Sequence, residues 1–545
     1  MVLLRCVLLF VSLRASLGGS VENVGPHVHA TAGEVWPKPK YQEGTDQFYV
    51  VDAQLFEFKS DVKGCDILDK AFLRYQRIIL DDYRTVENHA NSLNRIRHEK
   101  TWKGDPLFQG YLKELNVSLG GSCDSYPKDE QILQKEQYRI VVNETGAWLN
   151  SDTVWGILRG LETFSQLVYL ARDEESLRIN VTVIEDTARY SHRGLLVDTS
   201  RHFIPVKSLC TMLDAMSYNK LNVFHWHIVD DQSFPYVSKR FPKLSEKGAY
   251  TQNLIYPVSD VQYIIDYARD RGIRVIPEFD SPGHTRSWGA AYPELLTECY
   301  SGTTKNGLLG PIDPTKAKTY SFLTELFKEI ISVFPDKYIH LGGDEVPFDC
   351  WKSNPSIQQF MRKNNITDYE LLENYYIQNV LHIVAKLNAT PVVWEEVFNN
   401  GVQISDDTIV HVWYPNRWEK ELFNVTDAGH WAVLSACWYL DMVNSYGNGD
   451  WLKYYRCEPT SFNGTKQQAD LILGGEACMW AEAVNEYNII QRVWPRASAT
   501  AERLWSSVDV TDEQDAARRL EEHTCRMNRR GIHAQPPNGP GFCRY

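Results

Sequence analysis

"LNVFHWHIVDD", residues 221–231, decides how this chain is read. A short apolar and aromatic run stops at two adjacent acids, as a buried strand does when it delivers polar side chains at its end. The same pattern recurs in "RGLLVDTSRH" (193–202), "RVIPEFDSPGH" (274–284), "YIHLGGDE" (338–345), "TPVVWEEV" (390–397), "DTIVHVWY" (407–414), "AVLSACWYLD" (432–441) and "LILGGEACMW" (471–480). Between these runs lie segments such as "VSDVQYIIDYARDRG" and "TYSFLTELFKEIISVF", whose apolar residues recur at three and four, the helical spacing. Eight strands with helical crossovers predict an α/β fold, a (β/α)8 TIM barrel over residues 188–545. A doubly wound sheet is the structural alternative. Upstream, strand-like "YRIVVNE" and helix-like "VWGILRGLETFSQLVYLA" lack such polar endings and read as a smaller α/β domain, residues 20–187, packed against the barrel. The boundary falls near "IEDTARYSHRG".

The 545-residue chain is long enough for two domains, and its formal net charge of -13 argues against nucleic acid or an anionic membrane surface as partner. Sixteen Trp and 29 Tyr suit a large core or stacking platforms equally. Residues 1–19 have the outline of a signal peptide, and no later run is long and apolar enough to span a membrane. Sequons at Asn116, Asn143, Asn180, Asn365, Asn388, Asn424 and Asn463 point to glycosylation in the secretory pathway. Ten cysteines remain once Cys6 leaves with the leader, in a compartment that permits disulfides. Cys525 with Cys543 and Cys299 with Cys350 are plausible pairs, although sequence alone fixes no connectivity.

In such barrels chemistry sits at the C-terminal strand ends. Those ends supply Arg201, Asp230, Asp231, His284, Asp344, Glu345, Trp394, Glu395, Trp413, Tyr439, Asp441, Trp480 and Glu482. Indole faces stack on pyranose rings, while carboxylates and Arg bind hydroxyls, so this mixture points to a sugar. Taken singly, each acid reads equally as a helix cap or ion-pair partner, and each Trp as core. The accumulation at eight successive ends carries the functional reading. His225 and His227 share one strand face, a spacing that serves metal ligands or hydrogen-bonded barrel lining.

Asp344 and Glu345 are neighbours, with Cα atoms about 3.8 Å apart. They serve one pocket only if the strand ends there, and Gly342 and Gly343 permit the necessary turn or bulge. Two acids this close cannot flank a sugar ring as acid and nucleophile, so the nucleophile must come from elsewhere. A 2-acetamido sugar supplies it: its carbonyl oxygen attacks the anomeric carbon, one carboxylate stabilises the amide nitrogen, and the other protonates the glycosidic oxygen.

"RGLLVDTSRH", "NVFHWHIVDD", "EFDSPGH", "HLGGDEV", "VVWEEVF" and "GGEACMW" together closely resemble the lysosomal β-N-acetylhexosaminidases, from the N-terminal domain to the last cysteine. The resemblance implies a retaining exo-enzyme that removes terminal non-reducing N-acetylglucosamine and N-acetylgalactosamine from glycoproteins, glycolipids or oligosaccharides, with no metal or organic cofactor. It makes Glu345 the general acid, with burial and its acidic neighbour expected to keep it protonated in acid, and Asp344 the residue that holds the acetamido group. Tyr439 resembles the donor to the acetamido carbonyl. Trp394, Trp413 and Trp480 resemble the sugar's walls, Arg201 and Glu482 the grip on its 3- and 4-hydroxyls, and Asp230 and His284 the polar support near the acid. Cys65–Cys123, Cys299–Cys350 and Cys525–Cys543 are the implied disulfides, leaving Cys210, Cys437, Cys457 and Cys478 over. Asp441 and Met442 stand where the α-type subunit has Asn and Arg, so the chain looks β-type; an anionic Asp441 should repel sulfated or sialylated sugars. The loop "SGTTKNGLLG" lacks the α-type acidic-proline stretch. Family members are dimers. Competing readings are a catalytically silent sugar-binding protein, which would lack Asp344 or Glu345, and a chitin-degrading endo-enzyme, which would need an open cleft.

Overall fold

The structure is a computed structural model that describes residues 26–92, 104–127, 136–171, 176–442 and 449–543. The expected leader, with Cys6, lies outside them. Strands β1 (Tyr41–Val51), β2 (Glu57–Ser60), β3 (Phe108–Leu112), β4 (Glu114–Leu119), β5 (Tyr138–Asn143), β6 (Gly146–Ser151), β7 (Tyr169–Leu170) and β8 (Leu177–Asp186) form one sheet. Its order is β2-β4-β6-β5-β8-β1-β3, with β7 on β8. The "VWGILRGLETFSQL" segment is a helix, Val154–Leu167, capped by the Thr153 hydroxyl and buried along its whole length. Gly160 lets it lie against the sheet, since a Cβ there would come within 2.2 Å of Leu149 Cδ1.

The eight polar-ended runs are eight parallel strands: β9 (His192–Asp198), β10 (Val223–Val229), β11 (Arg274–Phe279), β14 (Tyr338–His340), β15 (Thr390–Trp394), β16 (Ile409–Val412), β17 (Trp431–Leu434) and β18 (Ile472–Met479). They close into a barrel in chain order, which removes the doubly wound alternative. The two helical patterns are the helices Val258–Arg269 and Ala317–Val333. The "SGTTKNGLLG" loop is instead part of an antiparallel hairpin of β12 (Leu296–Ser301) and β13 (Thr304–Ile312), tied at its base by Cys299–Cys350.

Inside the barrel, side chains alternate inward and stack in layers. At the N-terminal end Val223, Ile276, Tyr338, Val392, Ile409, Val433 and Leu473 form an apolar layer. At the C-terminal end Leu196, Trp394, Tyr439 and Cys478 pack with Trp413 and Trp480. Between them sits a buried polar layer of His225, Glu278, His340, His411 and Glu476.

The sheet unit is fastened to the barrel by buried charge. Lys220 Nζ lies 3.1 Å from Asp186 Oδ2, both side chains fully buried. Glu136 bridges Arg159 and Arg193. The three implied disulfides are present, and a fourth, Cys437–Cys457, corrects the expectation that both cysteines are left over. It closes the segment after β17, which brings Cys437 near Cys457 by folding that the sequence pattern does not encode. Cys210 and Cys478 are free thiols.

Candidate active site

Beyond His340 the β14 strand ends and the backbone turns through three left-handed residues, Gly342 (φ 69°), Gly343 (φ 100°) and Glu345 (φ 49°). Gly342 has no substitute: a Cβ there would sit 1.7 Å from Asp280 Oδ1. The Gly343 amide donates to that same oxygen at 2.9 Å. This turn aims both acids into one mouth, where His284 Nε2 lies 3.6 Å from Asp344 Oδ2 and 3.9 Å from Glu345 Oε2. Glu345 is 62% exposed, so the burial expected of the acid is absent, because the left-handed turn lifts its side chain to the rim.

His284 Nδ1 bonds Asp230 Oδ1 at 3.1 Å. Burial opposes the imidazolium, but Asp344, Asp280 and Asp230 outweigh it and raise its pKa to about 11. Asp230 is held well below the usual carboxylate range despite its burial, by His227 and His284. Arg201 reaches Asp230 Oδ2 at 2.8 Å, Asp198 Oδ2 at 3.0 Å and Glu482 Oε1 at 3.8 Å, and it lies 5.1 Å from the Trp480 ring centroid.

Four aromatic rings complete the mouth. Trp394 meets Trp413 at 6.5 Å and Trp480 at 6.2 Å between centroids, and Tyr439 stacks on Trp413 at 6.0 Å. Arg201 Nε, His284 Nε2 and Asp441 Oδ1 are buried without a hydrogen-bond partner. Such atoms are few in folded proteins, and here they converge on a site able to take a ligand rich in hydroxyls and amides. Thus Arg201, Asp230, His284, Asp344, Glu345, Trp394, Trp413, Tyr439, Asp441, Trp480 and Glu482 gather at one barrel end. Asp231 and Glu395 serve locally instead: Asp231 accepts from the Arg286 amide at 2.9 Å, and Glu395 from the Trp413 amide at 3.1 Å.

A family model for the glycosyl hydrolase family 20 catalytic domain matches residues 190–508. The chain belongs to glycosyl hydrolase family 20. A second model, described as beta-acetyl hexosaminidase like, matches residues 35–167. The chain is 47% identical to human beta-hexosaminidase subunit beta over 527 residues, covering 95% of this chain and 91% of that one. It is equally 47% identical to rat beta-hexosaminidase subunit alpha over 521 residues, covering 94% and 95%. Among solved structures, a Flavobacterium johnsoniae chitobiase superposes with a TM-score of 0.74 at 29% identity, covering 91% of this chain and 73% of that one. A Vibrio harveyi family 20 exo beta-N-acetylglucosaminidase in complex with N-acetylglucosamine shares the fold, with a TM-score of 0.75 at 24% identity, covering 94% and 79%.

Several residues of this family 20 site escape the strand-end reading. Asp280, one residue beyond β11, is buried; burial first and then Asp344 push its pKa well up, so it holds a proton and hydrogen-bonds Asp344. Glu278 and Asp280 stand two apart in "EFDSPGH", and the two-residue period of a strand was the signal for both. Asp198, which orients Arg201, closes β9 within "RGLLVDTSRH". Glu373 arrives from the helix Tyr369–Lys386 and no strand-end pattern reveals it, whereas Glu396 stands beside Glu395 at the end of "TPVVWEEV" and was passed over. The metal reading of "HWH" meets a geometric objection, although His225, His340 and His411 bring ligand atoms within 4.8 Å of one another. His225 Nδ1 already bonds Glu476 at 2.8 Å, and its Nε2 faces Glu278 Oε2 at 3.0 Å in an ion pair. Its ring also stacks on His340 at 28°, so the in-plane lone pairs of the two rings run side by side.

Buried acids make this site acid-stable. Burial, aided by Asp344, raises both Glu373 and Glu396 from an ordinary 4.5 to about 8. Below pH 4.5 folded and unfolded chains are both protonated there and nothing is lost. As pH climbs toward 8 the unfolded chain ionises while the folded chain cannot, at about 1.4 kcal/mol per group for each pH unit. His225 and His227, raised to about 9 and 10 by Glu476, Glu278 and Asp230 against their burial, add stability that is complete below 6.5 and fades above it. Asp230 acts in the opposite sense, its contribution fading as pH falls below 3.8. The melting temperature should therefore peak in mild acid and drop by about 5 °C or more between pH 5 and pH 8. Glu396→Gln should flatten that slope, and a slope equal to wild type would refute the assignment.

Proposed function

We propose that this chain is a retaining exo-β-N-acetylhexosaminidase that releases terminal N-acetylglucosamine and N-acetylgalactosamine through attack by the sugar's own acetamido oxygen. The observation that carries this reading is the convergence of Asp344 and Glu345 on one imidazolium, His284, at the turn after β14. Glu345 protonates the glycosidic oxygen. Asp344, with protonated Asp280 beside it, holds the acetamido N–H and balances the positive oxazolinium ion. Tyr439 donates to the acetamido carbonyl, and Trp394, Trp413 and Trp480 enclose the ring. Arg201 and Glu482 bind the 3- and 4-hydroxyls. Water then opens the oxazolinium ion on the face the leaving group left, with Glu345 as base, and the product keeps the β configuration. A closed aromatic ring suits a terminal sugar better than an open cleft would.

Near-equal identity to α- and β-type relatives leaves specificity to the site itself. Burial first, then Glu482, pushes Asp441 up to about 7, so in acid it is a neutral hydrogen-bonding acid rather than the anion expected from sequence. Lys453 Nζ donates to the Met442 carbonyl at 3.4 Å and tempers the rise of Asp441, so discrimination against a 6-sulfate rests on Asp441 itself and should sharpen as pH passes 7 and that acid ionises. Chromogenic N-acetylglucosaminide should be hydrolysed at least about tenfold better than its 6-sulfate, a gap of about 1.4 kcal/mol. The newly released sugar should be the β anomer by NMR, and an α anomer would overturn the mechanism.

The same proposal extends to a division between units at residues 187/188, where the two family matches leave a gap. It extends also to a lysosomal or secretory route and to a dimer, supported by relatives that are named as subunits. Glycans at the seven sequons fit asparagines none of which is buried. Among the described residues no helix is long and apolar enough to cross a membrane.

A further inference from the structure

Barrel interiors of this kind are ordinarily filled by branched apolar side chains. Here Glu278, fully buried, stands at the centre beneath the mouth. Removing a carboxylate from water costs several kcal/mol unless donors surround it, so packing alone does not explain it. Its Oε2 bonds His227 Nδ1 at 2.6 Å and forms an ion pair with His225, whose Nε2 lies 3.0 Å away. Its Oε1 receives the Trp394 indole N–H at 2.9 Å, while the nearby His340 Nδ1 accepts from the Gly342 amide at 3.1 Å. Two lines therefore leave one carboxylate. The first ends in the Trp394 indole, a wall of the sugar site. The second runs from His227 Nε2 to Asp230 Oδ2 at 2.8 Å, and from Asp230 Oδ1 to His284, which faces both Asp344 and Glu345.

We propose that Glu278 is a positioning residue for the reaction: it fixes the Trp394 wall and, through His227 and Asp230, the His284 imidazolium between the two catalytic acids. This rests on the reading of the mouth given above. Anions and cations alternate along the second line, with Glu278 and Asp230 held well below the usual carboxylate range and His227 and His284 raised by the acids around them. The remaining groups around it do not take over that charge. Burial lowers the pKa of His340 and His411 and raises that of Asp280 and Cys478, in each case against the charged form. His192 bonds Glu476, and Arg201 is engaged by Asp198 and Asp230.

Glu278→Gln tests the idea. The amide still accepts from Trp394, but its N–H group meets the ring nitrogens of His227 and His225, so His227 no longer keeps its second proton through the assay range. With a chromogenic N-acetylglucosaminide, kcat/KM at pH 5 should fall roughly tenfold to a hundredfold. The alkaline limb of its pH profile should also gain one ionisation between pH 5 and 8 beyond those of wild type. Adding His227→Asn to that variant should remove the extra ionisation. His227→Asn alone leaves the Trp394 bond in place and should lower kcat while KM stays within about twofold. A Glu278→Gln profile that superimposes on wild type after scaling would overturn the proposal, because a purely structural loss is independent of pH. Wild-type kcat in His227→Asn would overturn it as well, and that variant decides the matter should Glu278→Gln fail to fold. Retention of configuration in the wild-type product tests the underlying reading separately.

Discussion

Glu345→Gln should lower kcat about 10³-fold on a substrate with a poor, alkoxide-type leaving group, close to 4 kcal/mol of transition-state stabilisation. On an aryl substrate whose leaving oxygen departs without a proton, the loss should be far smaller. The contrast follows from the role: a general acid matters in proportion to the basicity of the atom it protonates. Glutamine keeps the side chain's shape at an exposed position, and His284 remains anchored by Asp230, so folding and KM should change little. Steady-state kinetics on the two leaving groups reads the difference. Near-normal turnover of the poor leaving group, or equal losses on both, would remove Glu345 from the acid's role.

Asp344→Asn should cost a similar factor, about 10³ in kcat, for a different reason. The asparagine cannot balance the charge of an oxazolinium ion, and its amide meets the acetamido N–H donor to donor. In the native site Asp280 keeps its proton and bonds Asp344, while His284 approaches from the other side, so the carboxylate is aimed before the sugar arrives. The diagnostic is the gap between a 2-acetamido substrate and its 2-hydroxy analogue. Wild type should favour the acetamido sugar strongly, and Asp344→Asn should narrow that preference because it removes help available only to the acetamido route. An unchanged gap would refute attack by the substrate's own amide.

All eight barrel strands were legible because each is a short buried run with a polar or aromatic ending, a pattern that short-range periodicity preserves. Residues at those endings gathered as expected because the barrel places every C-terminal strand end at one rim. What stayed hidden depends on contacts made across the fold. Glu278 faces inward on a strand whose apolar neighbours masked it, Asp280 stands one residue beyond that strand, and Glu373 comes from a helix. The exposure of Glu345 depends on a left-handed backbone angle that side-chain chemistry does not announce, even with two glycines before it. Asp441 illustrates the same limit in charge: its residue type says anion, whereas burial beside Glu482 makes it a neutral acid at the pH where the site is most stable. The fourth disulfide was invisible because nothing in the sequence between Cys437 and Cys457, 20 positions apart, specifies how the two come together.

That cross-link bears on the sugar site. Tyr439 and Asp441 lie just inside the segment it closes, whereas the eight barrel strands beneath are joined by backbone pairing and none of them is cross-linked to another by a disulfide. Loss of this cross-link should therefore loosen the grip on the sugar without touching the barrel's strand pairing.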